Sequence, residues 1–506
     1  MQTTNNLTME QKETVGLLSI GTCLEWFDVF LYIHMAVLLD QIFFSKNDQE
    51  SWILSNIAIC SAFVLKPIGG VMLGWLGDKI GRTSVIFIST LVTGMTCVII
   101  AMMPTYAQIG IIASFAITGC KVIQAIVATG EFYNADIYIA EMAAQPKKRC
   151  AMSVLLCLGS WSGGKFLATA LVAISLFCVD HGITQAWRAA FLCGGFVAVI
   201  GVYARRTLYE TGNFTKARKL AKDISKEPKP EILKESFPKL SLFYHWIFTL
   251  GMALFSLAWQ GTFLYGGFVT VIGINTKKIL HEMSSFNQAK KLEKSIPTAS
   301  KPDILKEPFP KLSLFYYSML TLGNILFGLF PFTYCKDLLV NMGYSASKIA
   351  LQSWFVGIFF TLNLIGYFFL VRFFCPLKIM KYRTYGTILL MLFLPYLIKH
   401  ASSNVDILVL QFLVLLFGVS SLPASPIIYQ LFPTLTRSRS VLIPNAFSGA
   451  FGFIFLNFSI PVLSHYFAQY TFAVLALPVA IISVFGVQHF QKAYQNSINN
   501  HDIEYG

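Results

Sequence analysis

Apolar residues along this chain neither alternate nor keep to one helical face. They continue for about 20 residues at a time before a short polar break, and about 20 residues at ~1.5 Å rise span the roughly 30 Å of hydrocarbon in a bilayer. Such runs lie near 15–39, 52–77, 84–103, 109–139, 150–178, 187–204, 313–340, 349–371, 384–398, 406–429, 440–464 and 470–487. Lipid offers backbone N–H and C=O groups no partner, and the runs lack the alternation of a barrel strand, so each is predicted to be a helix. The expected fold class is an all-α polytopic membrane protein. The first run follows Glu10, Lys12 and Glu13, carries Glu25 and Asp28, and exceeds a signal-peptide core, so its retention is expected.

Composition supports the same class. The 506 residues are 55% hydrophobic and 13% charged, against about 25% charged in a soluble domain. The net charge of +14 would suit a nucleic acid only on a solvated, foldable basic domain, and no such stretch exists. The ten cysteines are scattered singly, with no CxxC pair and no clustered histidine, so neither a disulfide framework nor a metal site is indicated.

Cationic loops stay in the cytoplasm. Loops after even-numbered runs hold Lys79 and Arg82, then Lys147, Lys148 and Arg149, then the basic stretch from Arg205 to Lys311, then Arg372 to Arg383, then Arg437 and Arg439. Both termini are therefore expected in the cytoplasm. Residues 1–210 are expected to form one six-helix bundle, 211–311 a cytoplasmic connector, and 312–506 a second six-helix bundle with a short tail. Two such halves facing one central site are a transporter architecture.

The connector contains a duplication. Lys229–Tyr244 (KPEILKESFPKLSLFY) recurs as Lys301–Tyr316 (KPDILKEPFPKLSLFY), with 14 of 16 positions identical at an offset of 72. A tandem duplication of a tolerant surface segment is the simplest account. Between the copies lies a further apolar run, 241–274. A single crossing there would invert every later loop against the charge rule, so a hairpin or a re-entrant segment is expected.

An ionisable side chain at membrane depth costs at least about 2.5–3.5 kcal/mol on insertion scales, which makes it a candidate site. Glu25, Asp28 and Tyr32 share a face of the first helix. Counting ~1.5 Å per residue puts Glu25 about 15 Å deep, Asp28 about 20 Å, and Lys121 of the fourth helix about 18 Å from its opposite end. Acids and base thus meet at one depth. Lys66 and Lys165 lie at comparable depth, and Glu131 is nearer the cytoplasm on a face similar to that of Lys121 and Gln124. Asp28, Glu25 and Glu131 are the candidates for proton coupling, because moving a carboxylate relative to a cation changes its proton affinity. A permanent structural ion pair is the competing reading. The glycine pairs Gly70/Gly74 and Gly159/Gly163 read as close helix contacts.

Several motifs then resemble a known family. GWLGDKIGRT (Gly74 to Thr83) is similar to the signature loop of the major facilitator superfamily, with Gly74, Asp78, Lys79, Gly81 and Arg82 matching and Thr83 departing. The resemblance implies a gating loop in which Asp78 pairs with a basic residue or a helix N-terminus across the two halves. Within the superfamily, the metabolite:proton symporters, proline/betaine transporters among them, are the group most resembled. GTCLEWFDVFLY (Gly21 to Tyr32) carries both of that group's first-helix acids, and KPIGG has Lys66 where the group usually has arginine. KVIQAIVATGEFYNA matches in role at Lys121, Gln124, Gly130 and Glu131, with Ala125, Thr129, Tyr133 and Asn134 replacing glycines. RRTLYETGNF (Arg205 to Phe214) is a looser match, and QLFPTLTRSR (Gln430 to Arg439) has Gln430 in place of an acid.

The function implied is proton-coupled symport of a small polar metabolite by alternating access. A zwitterion such as proline or glycine betaine would set its carboxylate near Lys121 and its cation over Trp26, Trp161 or Tyr429. A di- or tricarboxylate would draw on Lys66, Lys121 and Lys165 together. Lysine in place of arginine keeps the charge but loses the planar fork, which bears on substrate identity. A sensor or uncoupled facilitator is the reading from another class. No nucleophile–base pair or phosphate-cradling loop is visible, so neither an enzyme nor a cofactor is expected. The expected partners are substrate, protons and lipid, the expected state a monomer, and the expected location a bacterial inner membrane.

Overall fold

The computed structural model describes residues 7–45, 64–142, 145–183, 185–205, 215, 310–344, 346–454, 456 and 460–504. Each of the twelve apolar runs carries helix within these residues, and no strand forms among them. The first half comprises α1 (Met9–Phe43), α2 (Lys66–Ile80), α3 (Arg82–Met102) and α4 (Ile111–Met142), then α5 (Pro146–Cys157), a π-helical turn Leu158–Ser162, α6 (Gly163–Asp180) and α7 (Ala186–Arg205). The second half comprises α8 (Lys311–Leu329), α9 (Tyr334–Asn341), α10 (Ala346–Phe373), α11 (Pro376–His400) and α12 (Asn404–Phe417). It continues through α13 (Ser425–Gln430), α14 (Arg437–Ile454), α15 (Ile460–Phe467) and α16 (Thr471–Glu504). Apart from 215, 310 and 311, the connector, with its 241–274 run, lies outside the described residues.

Eight helices among the described residues are long and apolar enough to cross a bilayer. The other runs fall short for identifiable reasons. Residues 52–63, which begin the second run, lie outside the described residues, and α11 opens with Lys378, Lys381 and Arg383. The tenth run breaks at Gly418 into α12 and α13, and α14 begins with Arg437 and Arg439. Of these positions Arg437 is buried in protein, whereas Lys378 is exposed.

The break after α12 shows how backbone irregularity is tolerated at this depth. Its terminal carbonyls accept from side chains of neighbouring helices: Leu415 from Arg383 (2.9 Å) and Asn363 (3.2 Å), Leu416 from Tyr367 (3.3 Å), and Phe417 from Thr387 (2.5 Å). Groups that lipid would leave unsatisfied are thereby paired inside the protein.

Leu24, Phe27, Leu31, Phe43, Trp187 and Phe191 centre a core within the first half, while Phe327, Phe330, Tyr334 and Phe472 centre a second core that reaches across to Leu73, Ile137 and Cys150 of the first half. With lipid as apolar as leucine, helices gain most from close backbone approach. A Cβ at Gly164 of α6 would lie 2.6 Å from the Cys23 carbonyl and 2.8 Å from the Phe27 nitrogen of α1, so only glycine fits there. Gly70 faces Ala446 of α14, and Gly159 faces Ser19 of α1, as the close-packing reading of those pairs expected. Leu7 packs with Tyr138, Ile139 and Met152, and Gln491 of α16 donates to the Leu377 carbonyl at 3.1 Å. Both ends of the described chain therefore lie at the face that carries the cationic loops, here termed the basic face.

Candidate functional site: a charged mid-depth layer and a seam at the basic face

At mid-depth, α1 presents two chemically different faces. One carries Asp28, whose carboxylate takes both oxygens to the Lys121 ammonium of α4, at 3.1 and 3.2 Å. Both side chains are buried, 8% and 6% exposed. Cys97 of α3 donates its thiol to the same carboxylate (3.6 Å), and Gln124 donates to the Cys97 sulfur (3.6 Å). The ammonium lies 4.4 Å from the Tyr32 ring and 5.8 Å from Phe191. A lysine shared by a carboxylate and two aromatic faces is held at one point despite its flexible stem.

Glu25, a turn nearer the basic face, is also buried, and its Oε2 has no hydrogen-bond partner. The charged groups within its electrostatic reach are Lys66 and Glu131. Glu131, fully buried on α4, accepts from the Thr90 hydroxyl of α3 at 2.7 Å. Lys66 begins α2 and packs along Gly449 of α14.

The opposite face of α1 carries Trp26 and Phe30. Trp26 lies 6.5 Å from Trp161, and Phe30 packs edge-on to Trp161 at 5.7 Å. In the π-helical turn between α5 and α6, Ser160 bonds Thr22 of α1 at 2.6 Å, while Trp161 and Ser162 reach the second half: Trp161 meets Phe360 at 4.2 Å, and Ser162 bonds Thr361 at 2.8 Å. One turn on, Lys165 is 3% exposed and donates to the Ser353 carbonyl of α10 at 3.3 Å. Its ammonium stands over Trp161 (5.1 Å), Phe332 (5.3 Å) and Phe30 (5.5 Å). A side chain at Gly357 would collide with it, so the second half supplies a notch for this lysine.

At the basic face the halves are joined charge to charge. The Asp78 carboxylate accepts from the Ser438 N–H (2.9 Å), the Arg439 N–H (3.2 Å) and Arg439 Nε (2.7 Å), at the first turn of α14. An acid at a helix N-terminus meets both the partial positive charge and the unpaired N–H groups there. Burial raises the Asp78 carboxyl above its ordinary value, against the pull of Arg439 and Arg82. Gly81 has φ 110°, a conformation open to glycine and strained for other residues. The next residue, Arg82, is fully buried and reaches Glu141 (3.1 Å) and the Thr434 carbonyl (2.5 Å). Glu141 also takes Arg437 of the second half at 2.8 Å, so one buried carboxylate ties two guanidinium groups. Deeper in the same seam, Ser425 donates to Asp136 at 3.1 Å. Arg149 bonds Gln430, which in turn donates to the Ala140 carbonyl at 2.8 Å.

The structure thus unites Asp28 with Lys121, and Trp26 and Trp161 with Lys165. Tyr429 lies elsewhere, edge-on to Tyr317 at 5.9 Å and with its hydroxyl beside Asp136 of the first half, in the seam. Of the gating-loop residues, Gly74, Asp78, Gly81 and Arg82 lie on the seam, whereas Lys79 is exposed with its ammonium over Trp75 at 4.5 Å. Glu141 and Asp136 were not singled out by the sequence reading. The signal was present, because both acids occur in or just beyond the fourth apolar run, where the rule that selected Glu131 applies to them equally.

Residues 15–236 match the Sugar (and other) transporter family. Over 237 residues the chain is 30% identical to a "Putative proline/betaine transporter" of Staphylococcus aureus (strain COL), covering 46% of this chain and 49% of that protein. It is 32% identical over 205 residues to the "Proline/betaine transporter" of Salmonella typhimurium (strain LT2), covering 40% of this chain and 41% of that one. The matched region spans about half the length of these relatives. Among solved structures, the E. coli proton:xylose symporter XylE bound to 6-bromo-6-deoxy-D-glucose superposes with a TM-score of 0.63 at 15% identity, over 95% of each chain. That likeness shows the fold. With its apolar helices it makes the chain a multi-pass integral membrane protein, and the resemblance read from the motifs is borne out.

Proposed function

We propose that this chain, which has the major facilitator fold and is similar over its first half to proline/betaine transporters, is a proton-coupled symporter of a small zwitterion such as proline or glycine betaine. The observation that carries the coupling is the buried Asp28–Lys121 pair, in which one lysine holds both oxygens of a carboxylate at the depth of the membrane midplane. An acid so placed takes up a proton when its cation moves away, and loses it again when the cation returns. Glu25 and Glu131, with Lys66, form a second acidic group one turn away through which protons pass. Lys121 then belongs with the coupling acids, and the substrate's contacts fall to the opposite face of α1.

The seam supports a reading of the conformation. Joined at the basic face, the halves represent the state closed to the cytoplasm, and its opening requires Asp78 to leave the start of α14 and Glu141 to release Arg437. The loop charges support an orientation with the basic face and both termini in the cytoplasm, and a bacterial inner membrane is the membrane proposed.

The test is uptake into proteoliposomes, with and without an inward proton gradient, across proline, glycine betaine, α-ketoglutarate and citrate. Gradient-dependent accumulation of a zwitterion is expected. Accumulation of a di- or tricarboxylate alone would replace the substrate class, and uptake indifferent to the gradient would remove the coupling.

A further inference from the structure

Three lysines lie at membrane depth among the described residues, and their surroundings differ. Lys121 is matched by Asp28, and Lys66 lies within reach of Glu25. Among the described residues Lys165 has no carboxylate at ion-pair distance, and a single carbonyl, that of Ser353, accepts from it. An ammonium carries three N–H donors, so among the described residues the other two meet aromatic faces and no oxygen, although the residue is 3% exposed. In the same aromatic cluster, the buried indole Nε1–H of Trp26 has no acceptor among the described residues. Two donor groups short of an oxygen acceptor in one aromatic cluster fit a ligand that brings an anion. The faces of Phe30, Trp161 and Phe332 that now stack on the ammonium are suited to the apolar or methylated remainder of a compact molecule.

We propose that Lys165 and the Trp26 indole N–H anchor the single carboxylate of the substrate, whose remainder packs on the surrounding aromatic faces. This rests on the transport reading above and narrows it to one carboxylate. A second or third carboxylate would need Lys121 or Lys66, and each of those already faces an acid. Without substrate the ammonium is parked across the two halves, on the Ser353 carbonyl and in the Gly357 notch. A carboxylate replaces one neutral acceptor by a charged one, and its binding therefore also bears on how the halves are tied at mid-depth.

The experiment is ligand-induced thermal stabilisation of the purified full chain in lipid nanodiscs, with glycine betaine, proline, choline and α-ketoglutarate as probes. Wild type is expected to be stabilised by a zwitterion and not by choline, which keeps the quaternary ammonium but lacks the carboxylate. Lys165→Met is expected to weaken binding about 10- to 100-fold, Lys165→Arg less, and Trp26→Phe about 3- to 10-fold. Unliganded melting of each variant reports whether it is folded, and the Lys165→Arg variant keeps the test valid if Lys165→Met is not. Zwitterion binding by folded Lys165→Met at wild-type strength, or stabilisation by choline equal to that by glycine betaine, would overturn the anchor alone. Stabilisation of wild type by α-ketoglutarate only, or by none of the probes, would overturn it together with the reading on which it rests.

Discussion

The seam at the basic face and the mid-depth layer are both built from buried charge, yet they resolve it in different ways. In the seam, acids from the first half meet bases from both halves: Glu141 holds Arg82 and Arg437, and Asp78 holds Arg439 together with the start of α14. At mid-depth, Asp28 and Lys121 satisfy each other within the first half, while among the described residues Lys165 and Trp26 keep donors short of an oxygen acceptor beside the second half. Matched charge between two bodies acts as a lock, because separation leaves both partners desolvated until water arrives. Donors short of an oxygen acceptor next to a body interface act as a receptor, because a ligand supplies what the protein omits.

The largest expected effect comes from removing the shared acid of the lock. Glu141→Ala takes the carboxylate from two buried guanidinium groups and is expected to cost up to about 5 kcal/mol in thermal unfolding in detergent. A loss below about 1 kcal/mol would mean that the seam is not held by charge. Lys121→Ala should cost less, about 3 kcal/mol, since one carboxylate rather than two cations loses its partner, and Lys121→Arg should recover much of this. If Lys121→Ala and Lys121→Arg behave alike in stability and uptake, the mid-depth pair carries nothing. Gly81→Ala forces a side chain into the positive-φ turn before Arg82 and is expected to cost about 1–3 kcal/mol, read as lower stability and a seam more open to hydrogen exchange. Smallest is Ser162→Ala, which removes a neutral hydrogen bond between the halves to Thr361, at about 1 kcal/mol or less. An effect of Ser162→Ala exceeding that of Gly81→Ala would shift the lock from the basic face to mid-depth.

Much of this was legible in the chain. Run length gave the helices, since lipid leaves the backbone no alternative, and counting rise per residue brought Asp28 and Lys121 to one depth before any contact was visible. The spacing in GWLGDKIGRT implied that Asp78 would find a base or a helix start across the halves, and it finds both. The grouping around Lys165 was not legible. Helical periodicity reports which face of its own helix a residue occupies, but Ser353, Gly357 and Phe332 come from helices far along the chain, and nothing in their sequence marks them as a lysine's socket. The interruption between α12 and α13 was hidden for the same reason: the carbonyls it frees are satisfied by Arg383, Asn363, Tyr367 and Thr387 from other helices. Lys79 shows the reverse case, where a motif position that fits the pattern lies outside the seam, over Trp75.

The central claim is that the lock governs alternation while the Asp28–Lys121 pair couples it to protons. It is tested most directly by comparing two assays of Asp28→Asn in proteoliposomes: gradient-driven accumulation of a zwitterion, and counterflow exchange of the same compound without a gradient. The account predicts that accumulation falls to background while exchange continues near the wild-type rate. Accumulation that persists in Asp28→Asn, or exchange that is lost with it in a folded protein, would contradict the separation of the two roles.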